Sequence, residues 1–192
     1  MCVFFFQSYP MGNISRAMAA LVPGTTIKVK GPKGQMVYKP NMLREIGMLA
    51  GGTGITPMLQ IIRAILKNPN DKTIITLIYA NVSVDDILLR EDLEEFAKEF
   101  AERFKLVLVI EKVGSENWSG GIGFITEAMV REYCPSPATD IKILICGPPP
   151  MVSAMKKHTE VTHSLPHLPF PSSNNILIRW GWFRQSDMKK LE

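Results

Sequence analysis

EIGMLAGGTGITPM, residues 45–58, is an apolar strand that runs directly into a glycine-rich turn and then into a helix opened by a proline. Gly51, Gly52 and Gly54 carry no Cβ, so the backbone there is free to take φ > 0 and to approach a ligand closely. Pro57 suits the first helical position, where a missing N–H costs nothing. A helix start directs unpaired N–H donors and partial positive charge at a bound phosphate. Taken alone, such a turn serves either a nucleotide or a plain change of chain direction.

A second segment narrows the choice. IKILICGPPPM, residues 141–151, reads as a buried strand ending in a turn that three consecutive prolines hold rigid. Ligands of open α/β sheets sit beyond the carboxyl ends of parallel strands, so two strands that both end in special turns point to one shared crevice.

The residues between them alternate in texture. Continuous apolar strands at 73–80, 104–111 and 141–146 are the type that parallel sheets bury on both faces. Helical segments fall at 57–67, 86–101 and 125–134, and β/α alternation of this kind predicts a doubly wound parallel sheet. Residues 1–40 read instead as β-structure: strands at 3–6, 25–29 and 35–38, a turn at 9–12, a short helix near 15–21, and the turn GPKG at 31–34. The expected division is 1–43, 44–160 and 161–192.

Length and composition set bounds. A chain of 192 residues, 46% hydrophobic and 21% charged, has room for one domain, or one domain plus a fragment, with a core. Cys2, Cys134 and Cys146 show no metal-type spacing, which suits a reducing compartment. No apolar run approaches the roughly 18 residues that span a bilayer, and MCVFFF is too short for a signal-peptide core. A net charge of +4 without a basic helix or aromatic platform argues against nucleic acid. Arg16, Lys28, Lys30, Lys33, Lys39 and Arg44 all precede Glu45, the first acidic residue. Such one-sided charge either steers an acidic partner or is a solvated surface. Pro166 between His163 and His167 breaks the helical spacing a metal pair would need, so no metal site is expected.

GGTGITPM and CGPPPM, with YPMGNIS at 9–15 and YANVSVDDILLREDLEE at 79–95, closely resemble the NADH-cytochrome b5 reductases of the ferredoxin-reductase-like flavoenzymes. The resemblance implies a nucleotide domain preceded by an antiparallel flavin barrel, of which residues 1–43 would be a partial remnant. It implies FAD and NADH as cofactors and a hydride passed from NADH to FAD, followed by single electrons to cytochrome b5 or a similar acidic haem protein. A monomer is expected, on the cytosolic side of the endoplasmic reticulum or outer mitochondrial membrane by resemblance and soluble from the residues alone. The family's Arg-x-Tyr-[Ser/Thr]-Pro flavin run is absent, and residues beyond Lys157 do not resemble its last strand. Residues 161–175 read as irregular and 176–183 as a strand or an apolar patch. The rival expectation is therefore a weak or inactive nucleotide-binding fragment.

By the same resemblance Gly12, Asn13, Ile14 and Ser15 hold the flavin pyrophosphate, while a bare reading makes Ser15 a helix N-cap. Gly51, Gly52, Thr53, Gly54 and Pro57 pass close to the NADH pyrophosphate. Thr56 lies at the reactive flavin edge or caps the helix that Pro57 opens. Tyr79 and Asn81 belong to the cofactor-binding set. Asp86 accepts from the adenosine ribose hydroxyls and disfavours a 2′-phosphate; helix capping is the alternative for either aspartate and the main reading of Asp85. Cys146 helps position the nicotinamide ring beside Gly147, Pro148, Pro149 and Met151, or is a small buried thiol.

Overall fold

The computed structural model describes residues 8, 10–28, 36–114, 118–162 and 176–178. The chain divides into two compact units, Met1–Val37 and Tyr38–Glu192. In the first, α1 spans Asn13–Ala19 with extended Gly12 as its N-cap and no buried residue. Ser15 is thus the third helical residue rather than the cap, and its Oγ donates to the Gly12 carbonyl at 3.4 Å. Residues 25–28 and 36–38 lie outside any strand, which corrects the strands expected there. Their apolar residues Ile27 and Val37 are exposed, and a β segment without a neighbour has nothing to take its backbone groups. The strand expected at 3–6 and the GPKG turn lie outside the described residues.

The second unit is built on a six-stranded parallel sheet: β1 (Glu45–Gly51), β2 (Ile74–Asn81), β3 (Phe104–Ile110), β4 (Gly121–Ile122), β5 (Ile141–Cys146) and β6 (Ile176–Ile178). Their order is β4-β3-β2-β1-β5-β6. Registers pair Met48 with Leu77 and Leu144, and Leu49 with Ile78 and Ile145. Six of the seven β1 residues are buried, which is why that strand carries no alternation.

Helices cover both faces because crossovers are right-handed. The chain first steps outward through α2 (Ile55–Leu66) and α3 (Arg90–Glu99), then returns past β1 through α4 (Glu127–Tyr133) and α5 (Pro149–Thr162). Reversing the direction of travel puts the second pair on the opposite face. Arg63 of α2 pairs with Asp92 of α3 at 2.8 Å. Val130 of α4 and Met155 of α5 share a core with Leu49, Ile78, Val109 and Ile145. Ile55, Met58, Leu59, Ile62, Ile65 and Leu66 form the buried stripe of α2 at helical spacing.

Two short elements complete the edges. β4, a two-residue strand, carries no apolar run to announce it, and β6 pairs with β5 in parallel. The strand alternative read for residues 176–183 is thus the one seen at Ile176–Ile178. Asp71 secures the opposite, amino end of the sheet. It is fully buried and accepts from Tyr38 Oη at 2.6 Å, the Asn41 N–H at 3.2 Å and the Thr73 N–H at 3.1 Å.

Candidate nucleotide-binding site

The strand order reverses between β1 and β5, and at such a switch point the loops leave the sheet in opposite directions and open a crevice. Both sequence-predicted turns lie there. Ala50 pairs with Cys146 across the last rung, so Gly51 and Gly147 emerge side by side.

Of the glycines in the β1–α2 turn, Gly52 takes positive φ, at 52°, with open space where a Cβ would lie. Gly51 has φ −131° and Gly54 has φ −61°, values open to any residue. These two are small for another reason. A Cβ on Gly54 would lie 2.6 Å from the Cys146 carbonyl carbon and 3.0 Å from the Gly147 nitrogen, both main chain. One on Gly51 would meet Met151 Sδ and, at 3.1 Å, Pro148 Cδ. A Cβ on Gly147 would be 2.8 Å from Met151 Sδ. The two turns are packed against each other, and the Met151 thioether wedges between them. This corrects the expectation that all three glycines serve backbone freedom.

Residues 52–54 form a single 3-10 turn, and α2 follows at Ile55 with Gly54 as its N-cap. Pro57 is thus the third helical residue rather than the first, still within the turn whose N–H groups have no helical acceptor. Thr56 is not the cap: it sits inside the helix and its Oγ1 donates to the Thr53 carbonyl at 3.1 Å. The α5 start is chemically different. Pro148, Pro149 and Pro150 have no N–H, so this terminus offers few donors to an anion and the glycine turn is the better phosphate cradle.

From β2, Tyr79 is fully buried and its hydroxyl donates to the Gly52 carbonyl at 3.0 Å, tying the open corner of the turn to the sheet. Burial pushes its phenol up to about 12; the Asp86 charge adds to the rise, and Asn81 and the Leu88 backbone ease it. Asn81 closes the strand with its amide buried beside the Tyr79 phenol. Asp86 stands in the loop before α3, which starts only at Arg90 behind the left-handed N-cap Leu89, so neither Asp85 nor Asp86 caps it. Asp86 Oδ2 instead accepts from Ser83 N at 3.0 Å and Ser83 Oγ at 2.6 Å.

Cys146 is buried at the end of β5. Gly51, Gly52, Thr53, Gly54, Thr56, Pro57, Tyr79, Asn81, Cys146, Gly147, Pro148, Pro149 and Met151 therefore collect around the carboxyl ends of β1, β2 and β5. Gly12, Asn13, Ile14 and Ser15 belong to the first unit. Sequence reading did not single out Glu111 and Phe124. Both are exposed just past the ends of β3 and β4, and position after a parallel strand is the signal that would find them.

The family model for the oxidoreductase NAD-binding domain matches residues 48–157. NADH-cytochrome b5 reductase 1 of Aspergillus terreus is 57% identical over 159 residues, covering 80% of this chain and 53% of that protein. The cytochrome b5 reductase domain of Ulva prolifera nitrate reductase superposes with a TM-score of 0.78 at 34% identity, over 88% of this chain and 64% of that one. The CS-b5R domains of human Ncb5or, solved in an NAD+ form, give 0.74 at 26% identity, over 90% and 47%. The chain spans about half the length of the first of these relatives.

Proposed function

This chain belongs to the oxidoreductase NAD-binding domain family, and from that premise we propose that it acts as an NADH-cytochrome b5 reductase. NADH would supply a hydride, and FAD the flavin that accepts it and releases single electrons to cytochrome b5 or a similar acidic haem protein. The observation that carries the reading is the convergence of the β1–α2 and β5–α5 turns at the switch point, where Gly54 abuts the Cys146 main chain. The residues suit a dinucleotide. Gly52 leaves open space at a helix start, and Asn81 sets a buried amide at the carboxyl end of β2.

In this reading Gly51, Gly52, Thr53, Gly54 and Pro57 cradle the pyrophosphate, and Tyr79 holds that cradle to the sheet. Thr56 orients groups at the reacting edge. Cys146, Gly147, Pro148, Pro149 and Met151 form the wall that positions the nicotinamide ring and excludes water. Asp86 faces the adenosine ribose, and Gly12, Asn13, Ile14 and Ser15 meet the flavin pyrophosphate. A monomer at the cytosolic face of the endoplasmic reticulum or outer mitochondrial membrane belongs to the same proposal; among the described residues no helix is long and apolar enough to cross a membrane. The alternative of an inactive fragment is not favoured, since similarity to reductases runs through both turns.

The test is NADH-dependent ferricyanide reduction by the purified protein with added FAD, alongside its absorption spectrum. Flavin bands near one equivalent per chain with sustained turnover are expected. A protein that binds neither nucleotide would overturn the reading.

A further inference from the structure

Met151 is the third residue of α5, and helical side chains lean back toward the helix N-terminus, so its thioether reaches over the β5–α5 turn. There it fills the gap that two glycines leave. A Cβ on Gly51 would meet Met151 Sδ, with the terminal methyl at 3.5 Å, and a Cβ on Gly147 would lie 2.8 Å from the same sulfur. The Gly147 Cβ would also be 3.2 Å from the Gly51 nitrogen, so the two turns close on each other around one sulfur atom.

Position decides what oxidation of a methionine does. Met48, Met58 and Met155 are at most 2% exposed and sealed in the core, whereas Met11 is 91% exposed and Met42 42%, where an added oxygen meets solvent. Met151 is half-buried against the core that holds Val130 and Ile145, so a small oxidant can reach a sulfur that is packed on its inner side. Met129 is half-buried too, but there the terminal methyl, not the sulfur, faces the position of a Gly121 Cβ, at 2.9 Å.

A hydroperoxide oxidises a thioether in one two-electron step. A sulfur lone pair attacks the outer peroxide oxygen, the S–O bond forms as the O–O bond breaks, and the departing oxyanion takes a proton to leave as water or an alcohol. The apolar thioether becomes a polar, chiral sulfoxide. Its oxygen needs both room and a hydrogen-bond donor. Gly51 and Gly147 meet the sulfur with main chain, which has no rotamer with which to yield, so the added atom must push the turns apart.

We propose that Met151 is an oxidation-sensitive wedge: its conversion to the sulfoxide by a hydroperoxide parts the β1–α2 and β5–α5 turns and switches the crevice off, and enzymatic reduction closes it again. The parting of the turns stands on the packing alone. The loss of turnover rests on the NADH reading above.

The experiment treats the purified chain with added FAD with tert-butyl hydroperoxide. Peptide mass spectrometry locates the added oxygen, circular dichroism gives the thermal midpoint, and NADH-dependent ferricyanide reduction gives the rate. Met151 should gain oxygen before Met48, Met58 and Met155, with the midpoint falling by about 5 °C and the rate by about tenfold or more. Methionine sulfoxide reductases A and B, one for each epimer, should restore both. Dithiothreitol alone, which reverses oxidation of a thiol such as Cys146 to the sulfenic acid, should restore neither. Met151→Leu, compared with its own untreated rate, should lose less than about twofold; if that variant does not fold, the repair arms on the wild type decide. Oxidation at Met151 with midpoint and rate unchanged, oxidation of the core methionines ahead of it, recovery with dithiothreitol alone, or an equal fractional loss in Met151→Leu would each overturn the proposal. A wild type with no NADH turnover before treatment, but with a midpoint that falls as Met151 is oxidised, would overturn the NADH reading and support the wedge.

Discussion

Replacing Gly54 by alanine places a methyl group 2.6 Å from the Cys146 carbonyl carbon and 3.0 Å from the Gly147 nitrogen. Ordinary contact begins near 3.4 Å, so the two turns must separate by about 0.8 Å or more, and with main chain on both sides no rotamer change relieves them. Overpacking of this kind costs about 1–3 kcal/mol, and alanine at an N-cap returns none of it. Gly52→Ala is the matched control. It meets nothing within 4 Å among the described residues, and its cost is the φ of 52°, about 1–2 kcal/mol for a residue with a Cβ. Asparagine tolerates the left-handed region. Gly52→Asn should therefore recover part of the loss, whereas Gly54→Asn should be at least as damaging as Gly54→Ala. Urea denaturation followed by far-ultraviolet circular dichroism measures all four variants. In NADH-dependent ferricyanide reduction Gly54→Ala should lose turnover strongly, because a misplacement approaching 1 Å at a positioned site costs on the order of a hundredfold in rate. A Gly54→Ala protein within about 0.5 kcal/mol of wild type, the range of neutral surface changes, would refute the argument that this glycine exists for turn-to-turn contact.

Asp71→Asn should lower stability by about 1–3 kcal/mol near neutral pH, since the carboxylate accepts from Tyr38 and two backbone N–H groups in a buried setting. Burial opposes the Asp71 charge, but hydrogen bonds from Tyr38, Thr73 and the Asn41 backbone outweigh it and hold the carboxyl below 3.8. The advantage over asparagine should therefore be complete above that value and shrink as pH falls through the folded-state pKa; an advantage unchanged down to pH 2 would contradict this. Asp86→Ala should narrow the preference for NADH over NADPH in steady-state kinetics. An unchanged ratio would leave Asp86 as the turn residue that its bonds with Ser83 already make it. With cytochrome b5 as acceptor, the reduction rate should fall steeply with ionic strength if Arg16, Lys28, Lys39, Arg44 and their neighbours steer docking. Salt-independent rates would exclude that role.

What the residues determined unaided is the nucleotide domain. Apolar runs such as TIITLIYA and IKILIC carry their own signature because both faces of a parallel strand are buried, and the expected 141–146 strand coincides with β5. The two turns were legible for a similar reason, since glycine and proline restrict the backbone locally and mark a change of element wherever they occur. The tertiary structure decided which job each residue does. Gly51 and Gly54 read in the sequence as positions of backbone freedom beside a ligand, yet in the fold they are small because Met151 and the Cys146 main chain lie against them. Thr56 and Asp86 look like helix caps. Their helices begin at Ile55 and Arg90, a placement settled by the 3-10 turn before one and the left-handed Leu89 before the other. Residues 25–28 and 36–38 stand outside any strand although their pattern reads as β, because a strand is a property of its neighbour as much as of its own residues. Asn81 is the same lesson at a single side chain: its amide is polar in any reading, but only the folded sheet buries it against Tyr79.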